Sequence, residues 1–188
     1  MQNIFKKIEY NSPVILTFSL LSTLVFILDQ VLPIELMNSL FVYRGEASLL
    51  GFVKMFLCPM GHGSVEHLLG NITIILLIGP MLEEKLSSKV LLILMFITSL
   101  LIGLFHLFVF SGGILGASGI VFMLIILTSF TNVKEGKIPL TFIVICILFL
   151  GKEIYNGIFV NNNVSELAHL LGAGVGMGYY FIKNRIIK

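Results

Sequence analysis

The sequence predicts an all-α membrane protein: a bundle of six transmembrane helices in one domain over residues 1–188, with both termini cytoplasmic. Three observations carry this expectation. First, the 188 residues are 57% hydrophobic and only 12% charged, more apolar than a soluble domain of this size requires. Second, six stretches approach the roughly 20 apolar residues that an α-helix needs to cross a bilayer. Third, lysine and arginine divide unevenly between the connecting segments.

The expected spans are 13–32, 65–82, 90–110, 112–131, 138–158 and 165–182. The first follows Lys6 and Lys7, exceeds a signal-peptide core and has no small-residue cleavage site after it, so it reads as a retained span. The loop at 33–61 is long for a connector, and its apolar runs around Phe41 and Phe52 predict short helices lying in the outer interface. The second and sixth spans each carry a glutamate and a histidine near their start. The fourth contains no charge, and Lys152 and Glu153 interrupt the fifth.

Orientation follows from charge. With a cytoplasmic N-terminus, one side holds Lys6, Lys7, Lys85, Lys89, Lys134, Lys137, Lys183, Arg185 and Lys188. The other holds Arg44, Lys54 and Lys152, so the ratio is nine to three. Spans two, four and six then descend from outside to inside.

Polar groups stand near the starts of those three descending spans. They are His67 with Asn71, Ser118 within Gly116-Ala117-Ser118-Gly119, and His169. Each is expected roughly 3–9 Å below its helix start at 1.5 Å rise per residue. Ionisable groups inside a membrane are costly and mark functional sites. A serine hydroxyl is a poor nucleophile until a base takes its proton, and imidazole suits that task. His67 and Asn71, four apart, share a helical face and both donate hydrogen bonds, as an oxyanion site requires.

Each residue also has a plainer reading. Gly116, Ala117 and Gly119 could be a packing seam. His169 could bond a neighbouring carbonyl, and His67 with Asn71 could tie helices together. Gly172 and Gly176 share the face of His169, which predicts close packing against another helix; Gly174 and Gly178 form a second spaced pair. His62 reads as a loop anchor, His106 as structural, and Asp29 as interfacial. Glu83, Glu84, Lys85 and Lys89 read as a solvated cluster.

The net charge of +2, without a basic stripe, argues against nucleic acid as a partner. Cys58 and Cys146 read as packing residues, and the histidines lack a metal-ligand spacing, so no metal is expected.

Together these residues resemble the rhomboid family of intramembrane serine proteases over about residues 54–178. His62-x4-His67-x3-Asn71 is similar to the family's second-helix motif, and Gly116-Ala117-Ser118-Gly119 to its nucleophile motif. Ala168-His169-Leu170-Leu171-Gly172 with Gly176 is similar to its sixth-helix segment, and Gly79 through Glu83 to the end of its second helix. The resemblance implies a Ser118–His169 dyad and an oxyanion hole of His67, Asn71 and the Ser118 amide. Gly116, Gly119, Phe122, Gly172 and Gly176 would support them. It implies no cofactor, a location in the cell membrane and a site opening to the extracytoplasmic side. The substrates would be transmembrane segments of other proteins.

The chain departs from the family pattern at Phe122, where many members carry tyrosine, and at Val53-Lys54, where Trp-Arg is frequent. Gly70 replaces a bulky residue and is expected to alter the pocket beside the oxyanion hole. Two other functions fit the composition: a non-catalytic rhomboid-like binder of transmembrane helices, and a transporter relaying protons through His67 and His169. The first would be marked by loss of the serine or histidine, the second by internal repeats, and the sequence carries neither mark.

Overall fold

The computed structural model describes residues 8–109, 112–130, 137–151, 155 and 166–186. Among these the chain is helical, apart from loops and one isolated antiparallel bridge between Tyr43 and Ile114. The helices are α1 (Pro13–Val31), α2 (Leu49–Leu57), α3 (Val65–Leu86), α4 (Ser88–Val109), α5 (Ser118–Ser129), α6 (Leu140–Ile145) and α7 (Glu166–Ile186). A π-helical stretch, Cys146–Leu150, continues α6. By length and composition α1, α3 and α4 can each cross a membrane. The end of the expected fifth span, including Lys152 and Glu153, lies outside the described residues, as do Lys6, Lys7, Lys134 and Lys188.

The bundle is built around α5. Gly119, Ile120, Val121, Phe122, Met123, Leu124, Ile126 and Leu127 are all buried, so the helix is wrapped by neighbours rather than by lipid. It packs most extensively on α7 and also contacts α3 and α4. That explains a difference from the expected span at 112–131. The helix begins only at Ser118, because Gly112 and Gly116 both take φ near +112°, a conformation that ends a helix and suits glycine. A helix of 12 residues is too short to face hydrocarbon alone, but it can be complete inside a bundle.

The long loop after α1 is structured. It holds a π-helical turn at Met37–Phe41, then α2, then a 3-10 turn at Cys58–Met60. Asp29 accepts from the Met37 amide at 2.7 Å, tying the loop back to α1. On α2, Leu49, Leu50, Phe52 and Val53 are exposed while Lys54 and Met55 are buried, the two-faced pattern of a helix resting in an interface.

At the other end of the bundle, Glu83 corrects the expectation of a solvated cluster. It is buried, and its carboxylate accepts from the Val14 and Ile15 amides, each at 3.0 Å, and from Ser88 Oγ at 2.7 Å. The first N–H groups of a helix have no partner within it, and α1 lacks a capping side chain of its own. Glu83 supplies what is missing, while Glu84 and Lys85 point outward.

Candidate active site

His67 is the third residue of α3, Ser118 the first of α5, and His169 the fourth of α7. The fold brings these three helix starts together around a cavity of about 420 Å³. Its walls include His67, Gly116, Ser118, Gly119, Ala168 and His169.

Contact between α5 and α7 sets the central pair. A Cβ on Gly172 would collide with the Gly119 carbonyl, and one on Gly176 would lie 2.8 Å from the Met123 carbonyl oxygen. Only glycine permits this approach. It leaves His169 Nε2 2.8 Å from Ser118 Oγ. Phe122, one turn along α5 from Ser118, stacks on the His169 ring at 4.5 Å with planes 3° apart. The phenyl ring therefore orients the imidazole without a hydroxyl. By contrast, an added Cβ at Gly174 or Gly178 meets nothing within 4 Å among the described residues, so this second pair forms no close seam with them.

Across the cavity, His67 packs against Gly116. A Cβ there would stand 2.6 Å from His67 Nε2, so glycine is required for space as well as for φ. Asn71 is buried one turn further down α3 and bonds His62 Nε2 at 3.1 Å. His62 Nδ1 lies 3.2 Å from the Met60 carbonyl, which can only accept. The ring therefore donates from Nδ1 and accepts from Asn71 through Nε2. His62 anchors the loop as expected, but it also holds a site residue, a role the sequence reading did not assign. Burial, aided by neighbouring His67, pushes its pKa down to about 4, so the ring is neutral at pH 7.

The N-terminus of α5 adds donors. Ala117 makes no side-chain cap, and the opening amides of a helix lack intrahelical acceptors. The Ser118 amide is one of these opening amides, and its residue lines the cavity.

Two departures from the family pattern are compensated or remote. Lys54 Nζ bonds Glu46 Oε1 at 3.1 Å, and Glu46 Oε2 accepts from the Arg44 amide at 2.9 Å. Burial alone would raise the Glu46 carboxyl; these bonds outweigh it and hold the pKa below the usual range. The loop is thereby pinned to α2. Gly70 is exposed and is not among the residues that line the cavity; among the described residues nothing lies within 4 Å of an added Cβ. Sequence reasoning also missed Ser99 and Cys58, which line the cavity from α4 and the 3-10 turn. Their signal was weak, because neither has helical spacing to His67, Asn71, Ser118 or His169, which lie on other helices.

Fold and site together define a helical membrane protein carrying a serine–imidazole pair at the convergence of its helix starts. The Rhomboid domain family model matches residues 50–186, which is most of the chain. The chain belongs to the rhomboid family, and membership implies intramembrane protease function. No curated protein matches it closely.

Proposed function

We propose that the chain is an intramembrane serine endopeptidase that cuts transmembrane segments of other membrane proteins near their outer ends. The observation that carries this reading is the 2.8 Å separation of Ser118 Oγ and His169 Nε2 beside a cavity. His169 takes the hydroxyl proton as Ser118 attacks the scissile carbonyl. Negative charge then develops on the carbonyl oxygen, where His67, Asn71 and the Ser118 amide can donate to it. Collapse expels the amine, which takes the proton from His169, and leaves an acyl ester on Ser118. Water, deprotonated by His169, hydrolyses the ester and restores the serine. The reaction needs no cofactor.

Six spans with both termini cytoplasmic would place the cavity at the extracytoplasmic side. A transmembrane substrate must unwind locally to present a carbonyl there, which favours small or helix-breaking residues at the cut. A fluorophosphonate probe should label the wild-type chain, and Ser118→Ala should abolish labelling together with cleavage of a reconstituted transmembrane substrate. Equal labelling of the two proteins would overturn the assignment.

A further inference from the structure

The segment 112–117 leads directly into Ser118 yet has no secondary structure of its own beyond one bridge. Its backbone groups must find partners elsewhere, and they do so at alternate residues, each on a different element. The Gly112 carbonyl lies 3.0 Å from His106 Nε2 on α4. Ile114 exchanges two hydrogen bonds with Tyr43, at 3.0 and 2.8 Å. The Gly116 amide donates to the Cys58 carbonyl at 2.9 Å. The next residue in this alternation is Ser118.

We propose that His106 is a positioning residue for Ser118, acting through the Gly112 carbonyl at the head of this three-rung rack. The other two rungs are backbone to backbone; the His106 rung is made by a side chain. Since a carbonyl can only accept, His106 donates from Nε2. Its ring is itself held: it is buried, it lies 5.7 Å from the fully buried Tyr43 ring, and Gly45 packs beside it. Gly112 sits at φ +112°, a conformation glycine leaves readily unless something restrains it. Without the His106 rung the segment hinges at Gly112. Gly116 then shifts against His67, and the first turn of α5 follows. Displacement of a reacting group by about 1 Å can cost about 10²-fold in rate.

This inference rests on the protease reading, and the test separates the two. The full chain is reconstituted in proteoliposomes as wild type, His106→Leu, which removes the donor, and His106→Gln, which keeps one. Two quantities are read: the rate of fluorophosphonate labelling at Ser118, and amide hydrogen exchange over residues 112–117. His106→Leu should label about 10²-fold more slowly, with faster exchange at 112–117 and unchanged exchange in α1 and α3. His106→Gln should recover most of the labelling rate. Wild-type labelling by a folded His106→Leu would overturn the proposal. Exchange loosened equally throughout the bundle would overturn it too, because His106 would then be a general stabiliser. If His106→Leu does not fold, His106→Gln decides: labelling retained with 112–117 protected supports the rung, and labelling lost overturns it. An unlabelled wild-type chain would end the protease reading instead, while exchange at 112–117 would still report the His106 tie.

Discussion

His62 enters a helix-borne site from a loop, and its chemistry is set by which nitrogen is spoken for. With Nδ1 committed to the Met60 carbonyl, Nε2 is free of a proton and accepts from Asn71. A second proton would remove that acceptor and turn two donors toward each other. The folded pKa of about 4 lies below the ordinary value of 6.5. As pH falls, the unfolded chain therefore binds the proton first. The stabilisation from neutral His62 is complete above pH 6.5 and is progressively lost as pH falls toward 4. Melting temperatures measured across that window should fall for the wild type and fall less steeply for His62→Gln; parallel slopes would exclude His62 as the titrating group. The His62–His67–Asn71 spacing was legible in the sequence, and so was the shared face of the last two. The bond from His62 to Asn71 was not, because helical periodicity says nothing about a side chain on the preceding loop.

At the scale of elements, the seam between α5 and α7 uses small residues to bring His169 beside Ser118. Gly119 and Gly172 meet backbone to backbone, and His169 lies one turn before Gly172. Gly172→Val should force α7 away from α5, lengthen the Ser118–His169 separation and lower fluorophosphonate labelling by about 10²-fold or more. Gly174→Ala, at a position with open space, should leave labelling unchanged. Equal effects from the two substitutions would show that the seam does not set the site. The spacing of Gly172 and Gly176 with His169 made this face readable from sequence. Nothing in the spacing separated it from Gly174 and Gly178, since only the position of α5 decides which glycine face is covered. Glu83 presents the opposite case, as an ionisable residue in a charged turn gave no sign of facing inward. Its carboxylate receives two α1 amides and the Ser88 hydroxyl. Bonds to a charged group contribute about 1.5–3 kcal/mol each. Glu83→Ala should therefore lower the melting temperature and speed hydrogen exchange at the start of α1, whereas Glu84→Ala should do neither.

For the whole molecule, direction across the membrane decides where the chemistry happens. The three helix starts that carry His67, Ser118 and His169 lie together, so α3 runs away from the site toward Glu83, Glu84 and Lys85. Positive charge is retained on the cytoplasmic side, so the lysine and arginine count predicts that the α3 terminus lies there. This asymmetry is readable in the bare sequence because it depends on loop composition alone. The packing of residues 42–44 against 113–114 depends on tertiary contacts and was invisible to it. Exposed Gly63, just before α3, and exposed Glu84, in its last turn, mark its opposite ends, which makes the direction measurable. In a chain with Cys58 and Cys146 replaced by alanine, Gly63→Cys should react with a membrane-impermeant maleimide on intact cells. Glu84→Cys should react only after the membrane is opened. Reactivity of both from outside would mean that α3 does not cross. The reverse pattern would turn the cavity toward the cytoplasm, where it would meet the other ends of its substrates' transmembrane segments.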